Sequence, residues 1–325
     1  VVSDGDRSRP NDGIDPALIR TVPLSHRANR VSARDFAQPP GARLDFAAFI
    51  DSLPDILEAR SFVAVVDAII AAHRRGRAVV CMLGGHVVKT GLTTVLIELV
   101  RRGVITHLAS NGSAVIHDYE VARWGGTSED VEAGLKDGTF GMAEETGREM
   151  NAAIRAGAAA GHGLGEALAV ALAAEPLANP ELSLLLAAQR YGIHFTVHAA
   201  IGAEIIHQHP AADGAAIGAT SMTDFRRLAG HLPLLEDGVV LNIGSSVIMP
   251  EVFLKALTIC RNVHGGVPGK FVAADFDMTK QYRPRVNVVE RPTRTGGGQG
   301  YQITGHHELM VPLLVWSIIT RLGDG

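Results

Sequence analysis

One arrangement occurs twice in this chain and narrows what it can fold into. A short apolar run stops at glycine or serine, an amphipathic helix follows, and a second apolar run closes the unit. The first copy has Ala78-Val-Val-Cys-Met-Leu83 ending at Gly84-Gly85, a helix over Leu92–Arg102 and a strand over Ile105–Ser110. The second has Val239–Ile243 ending at Gly244-Ser245-Ser246, a helix over Pro250–Arg261 and a strand over Phe271–Phe276. Unbroken apolar runs of this length suit strands buried on both faces, as in parallel sheets. Strand, loop, helix and strand in that order make a βαβ unit. The expected fold is therefore α/β: a Rossmann-like, doubly wound, mostly parallel sheet with an N-terminal arm.

Between the two units lie one strand, Ile193–Val197, and Ala-rich helices over Glu144–Ala160 and Leu164–Ala174. Ser128–Leu135 predicts a helix with Ser128 as N-cap and acids in its first turn. Met310–Arg321 predicts the closing helix. Thr295-Gly-Gly-Gly-Gln-Gly-Tyr301 predicts a flexible loop, either a cover for a ligand or a plain connection. No linker divides residues 46–325, so they are expected to form one domain. Residues 1–45 are rich in Arg, Asp, Pro and Gly and lack periodicity. They read as an arm, partly disordered or wrapped over a neighbour.

Net charge is −4, and no Lys/Arg block forms a stripe, which argues against nucleic acid as the main partner. The two cysteines, Cys81 and Cys260, sit in apolar runs and read as buried thiols. A disulfide framework or a Cys-based zinc site needs more cysteines at closer spacing. A reducing cytoplasm fits. No apolar run reaches membrane-spanning length, and Val1–Pro10 carries no apolar leader, so no membrane partner is expected.

Glycines after a strand let a ligand approach the backbone, and the helix that follows offers free N–H groups. Gly84, Gly85, His86 and Thr90 in the first loop are candidates for a phosphate or pyrophosphate. The match to G-x-G-x-x-G is poor, and a tight turn explains the glycines equally well. Gly244, Ser245 and Ser246 hold the same place in the second unit. Lys89 has three readings: a phosphate partner, an imine-forming amine, or a surface lysine. The segment Ser110–Glu120 also follows a strand. It brings Asn111, Gly112 and Ser113, with a tight turn, together with His117, Asp118 and Glu120 as acid/base candidates. Glu144 and Glu145 read as helix-start acids or as an acidic lining. Histidines 198, 207 and 209, with Glu204, make a metal conceivable, but surface and core imidazoles are the favoured reading and no metal is assigned.

The order of these motifs resembles the deoxyhypusine synthase family. The segments that carry it are Gly91–Gly112, Val240–Met249 and Gly305-His-His-Glu-Leu-Met-Val-Pro-Leu-Leu314, with Ala274–Asp277 between them. The resemblance implies NAD as cofactor and a homo-oligomer, a tetramer with sites at dimer interfaces. It implies cofactor contacts from Asp275 and His307, and a base at His306. At the family's lysine position this chain has Met249, which cannot form an imine. The function expected on this footing is an NAD-dependent, deoxyhypusine synthase-like enzyme acting on a small amine or hydroxylated substrate without that lysine. Its catalytic candidates are Lys89, His117, Asp118, Glu144 and His306. The alternatives are a metal- or base-assisted hydrolase or lyase, and a non-catalytic nucleotide-binding protein.

Overall fold

The computed structural model describes residues 13–323. Residues 1–12 of the expected arm lie outside them. From 13 to 45 the backbone makes three single 3-10 turns (Pro16–Leu18, Leu24–His26, Ala33–Asp35) with no buried residue in any of them.

Six strands follow: β1 (Val79–Leu83), β2 (His107–Asn111), β3 (His194–His198), β4 (Val239–Ile243), β5 (Val272–Asp277) and β6 (Gln299–Thr304). They form one sheet in the order β3-β2-β1-β4-β5-β6. Every neighbouring pair is parallel. This is the strand order of the dinucleotide-binding Rossmann fold, with the reversal of direction between β1 and β4. The apolar runs explain why. All five residues of β1 and of β4 are buried. Alternate β1 side chains enter opposite cores: Val79, Cys81 and Leu83 on one face, Val80 and Met82 on the other.

The helices are α1 (Phe46–Asp51), α2 (Leu57–Arg74), α3 (Gly85–Lys89), α4 (Thr93–Arg101), α5 (Gly112–Trp124), α6 (Val131–Asp137), α7 (Glu144–Ala160), α8 (Leu164–Ala173), α9 (Leu184–Tyr191), α10 (Gly214–His231), α11 (Ile248–Val263), α12 (Arg291–Arg294) and α13 (His307–Leu322). Helices α2, α4, α5, α9 and α13 pack on the first face. The C-terminal part of α10 and α11 cover the second. A π-helical stretch, Pro284–Glu290, runs into α12 between β5 and β6.

Two local expectations change. The segment Thr295–Tyr301 is not a free loop, because Gln299 onward pairs with β5 from Val272 as the edge strand β6. Helix α6 starts at Val131, capped by Asp130, whose carboxylate accepts from the Ala133 N–H at 3.0 Å. Ser128 instead turns the chain with φ 70°.

Candidate functional site

The β1 and β4 ends meet as bare backbone. The Gly84 N–H donates to the Ile243 carbonyl at 2.9 Å, and the Gly244 N–H to the Phe276 carbonyl at 3.0 Å. A Cβ on Gly84 would stand 1.9 Å from the Gly244 oxygen. Gly244 itself has φ 66°, a region that disfavours side chains. Ser245 is buried and its hydroxyl accepts from the Met249 N–H at 3.2 Å. Ser246 is half-buried beside it.

The ring of His307 lies against this seam, with Cε1 3.0 Å from where a Gly244 Cβ would be. Its Nε2 faces the Phe276 carbonyl at 3.1 Å, and its buried Nδ1 has no partner. His86 is exposed and sets its ring edge-on to that of His307, centroids 5.6 Å apart. Asn242 donates to Asp275 at 2.8 Å, and its own Oδ1 is a second buried atom without a partner. Burial pushes Asp275 up to about 6, against the hydrogen bonds from Asn242 and Gln302.

A cavity of about 640 Å³ opens beside this seam, at the C-terminal end of β2. Lys89 from the last turn of α3 lines it, with Ser113, Ile116, His117, Glu120 and Trp124 from α5. Those α5 positions recur every three or four residues, so they share one helix face. The loop after α5 adds Thr127 and Glu129, the approach to α7 adds Phe140, the first turn of α7 adds Glu145 and Thr146, and the strap after β3 adds Glu204 and Ile205.

Burial, and then the Lys89 ammonium, hold His117 down at about 4, so the ring is neutral at pH 7. Lys89 is exposed and forms no ion pair among the described residues. The carboxylate of Glu204 is buried at the start of α5, accepting from the Gly112 N–H at 2.8 Å and the Ala200 N–H at 3.0 Å. It sits so close that a Cβ on Gly112 would stand 2.2 Å from it. Asn111 Oδ1 accepts from the Ser113 hydroxyl at 3.0 Å.

The remaining residues singled out from the sequence fall elsewhere. Asp118 points away from the cavity and holds the start of α9 through the Ser183 hydroxyl and the Leu184 and Leu185 N–H groups. Adjacent helix residues are about 100° apart, and with both oxygens of Asp118 committed to the start of α9 it takes no part in the site of His117. Glu144 is exposed, paired with Arg148 at 3.0 Å and with His209 at 3.3 Å. Thr90 caps the end of α3, its hydroxyl donating to the His86 carbonyl at 2.9 Å. His306 is an exposed N-cap 3.8 Å from Glu308. Met249 is wholly buried in the second core, so even a lysine there would face apolar packing. Among the described residues no group of three His, Cys, Asp or Glu side chains is placed to hold a metal. Thr127, Thr146, Phe140 and Trp124 were not legible as site residues; only Trp124 carried a signal, its spacing along the α5 face.

No protein-family model matches the sequence, and a search of curated proteins finds no match. Solved structures do share the fold. Unliganded AgrE is 17% identical, with 82% of this chain matched to 34% of that one at a TM-score of 0.53. The ternary complex of AgrE with ornithine and NAD+ is 16% identical, with 80% matched to 33% at a TM-score of 0.50. ArgZ, an arginine dihydrolase of the ornithine-ammonia cycle in cyanobacteria, is 15% identical, with 82% matched to 34% at 0.48. The chain thus spans about a third of these proteins, and the likeness is one of fold. It corrects the expected kinship: the neighbours in fold are the AgrE structures, not deoxyhypusine synthase. The reading as a deoxyhypusine synthase-like enzyme that has lost its lysine falls with it.

Proposed function

We propose that this chain is a dinucleotide-binding enzyme domain, with an NAD-type cofactor across the β1/β4 seam and His117 as the base toward a small substrate in the adjoining cavity. The observation that carries the reading is a neutral histidine in a cavity of about 640 Å³, beside the glycine seam at the switch point of a Rossmann-ordered sheet. The seam fits such a group. Gly84 and Gly244 let the two strand ends close up with only backbone between them, and the unpartnered Asn242 Oδ1 and His307 Nδ1 lie at the same end of the sheet. AgrE, a neighbour in fold, is known in complex with NAD+.

Bound there, the nicotinamide would supply a hydride acceptor. The chain's own residues do the rest. His117 takes a proton, Lys89 offers the cavity its uncommitted cation, and Trp124, Phe140 and Ile116 exclude water. A cofactor-free, base-assisted lyase or hydrolase is the second reading, favoured by His117 facing the cavity and not the seam.

Titration of the full chain with NAD+ by calorimetry tests the first reading. One saturable site per chain is expected, with quenching of Trp124, a cavity-wall residue. Absence of heat and of quenching at millimolar NAD+ would leave the cofactor-free reading.

A further inference from the structure

A line of hydrogen bonds stands behind His117. Helix α5 ends at Gly125 with φ 86°, and the chain doubles back so that Thr127 returns to His117, ten residues earlier. His117 Nδ1 lies 2.7 Å from Thr127 Oγ1. The Thr127 hydroxyl donates to Glu120 Oε2. The other oxygen of Glu120 accepts from the Thr146 hydroxyl at 2.9 Å.

The direction of this line follows from counting protons. A carboxylate only accepts, and a hydroxyl has one hydrogen to give. Thr127 gives its hydrogen to Glu120, so toward His117 it accepts, and Nδ1 must carry the ring hydrogen. In a neutral imidazole the other nitrogen, Nε2, then holds the bare lone pair. Nε2 has no hydrogen-bond partner among the described residues and is not sealed from the cavity.

We propose that Thr127 and Glu120 are positioning residues that fix His117 as the Nδ1–H tautomer, leaving Nε2 as the proton-accepting atom in the cavity. The inference rests on the reading of His117 as a base and names the atom that acts. When Nε2 takes a proton, the ring becomes a cation with both nitrogens protonated. Thr127 goes on accepting from Nδ1–H, and no proton leaves the line. The charged groups that line the cavity with the ring are Lys89 from α3, Glu120 from α5, Glu129 from the following loop, Glu145 from α7 and Glu204 from the strap after β3. The lysine opposes the imidazolium, and Glu120, one hydroxyl away, supports it.

Nitrogen NMR of the full chain with ¹⁵N-labelled histidine at pH 7 reads the tautomer directly. His117 is assigned by its loss in His117→Gln. Wild type and Thr127→Ser are expected to show Nδ1 protonated and Nε2 bare. Thr127→Val keeps the volume but removes the hydroxyl, and should move the ring toward the Nε2–H form. An Nε2–H ring in wild type, or an unchanged ring in Thr127→Val, overturns the proposal. If Thr127→Val does not fold, the wild-type and Thr127→Ser spectra decide alone. An Nδ1–H ring in a chain that binds no NAD+ upholds the line and counts only against the cofactor.

Discussion

His117 and His107 both lean on a threonine hydroxyl, and they differ in what lies beyond. His117 faces a cavity, and its threonine, Thr127, is anchored on a carboxylate. His107, at the start of β2, is wholly buried, 3.0 Å from Thr196 Oγ1. Thr196 is shared with a second imidazole, His198, at 3.2 Å. Burial lowers both rings: His117 to about 4, and His107 well below its ordinary value with the neighbouring His231, His194 and His198 adding to the effect. The Thr196 hydroxyl, between two imidazoles, is directed only by a long 3.5 Å contact to the Leu108 carbonyl, whereas the Thr127 hydroxyl is held firmly by a carboxylate. A depressed pKa alone therefore does not mark a functional histidine. Access to space and a terminus that sets direction separate the two.

The comparison breaks most sharply by substitution. His117→Gln is expected to lower turnover about 100- to 10,000-fold in steady-state kinetics while leaving NAD+ affinity within about twofold. A variant that keeps full turnover would remove His117 from the chemistry. Next in size is the seam. In Gly84→Ala the new Cβ would press on the Gly244 oxygen, and overpacking of this kind costs about 1–3 kcal/mol. Urea unfolding should show that loss, and calorimetry a loss of NAD+ binding greater than in His117→Gln.

The core histidine should speak through pH. Its folded pKa lies below the unfolded value of about 6.5. Below pH 6.5 the unfolded chain takes a proton that folded His107 refuses, so stability present above that pH is lost as pH falls. The slope is about 1.4 kcal/mol per pH unit for one proton. His107→Phe should flatten the acid limb by up to that amount between pH 6.5 and 5. Buried carboxyls act in the opposite sense: Asp118 and Asp224 are raised by burial to about 6 and about 7, so their share is lost as pH rises from about 4. Taking wild type minus variant at each pH cancels them. An equal acid slope in both proteins would contradict the assignment. The smallest effect is expected at Cys81, whose thiol burial pushes up to about 12. It should resist iodoacetamide in the native chain at pH 8 and react once urea unfolds it.

Much of the sheet was legible because its strands are apolar on both faces. Five of the six appear as runs or near-runs, and both βαβ units lie where the pattern put them. The sixth was not. Gln299–Thr304 is an edge strand with most of its side chains at least partly exposed, so no burial disciplined its sequence, and its glycines read as a loop. The site was half legible. Helical spacing groups His117 with Glu120, while bonds to the start of α9 take Asp118 out of the site, a distinction that a short sequence cluster hides. The partners from elsewhere in the chain, Thr127, Thr146 at the start of α7 and Glu204, are brought to α5 by loops whose paths no periodicity encodes.

The seam of bare backbone between β1 and β4 has a consequence for how such a chain can change. Its two glycines tolerate no decoration, so that line through the molecule is closed to variation. The walls of the cavity come mostly from one face of α5, the start of α7 and the loops on the β2 side, with Lys89 the wall residue that belongs to the helix leaving the seam. Most of the cavity wall can thus be rebuilt for a new substrate while the seam stays as it is, with α3 as the link that ties the two together.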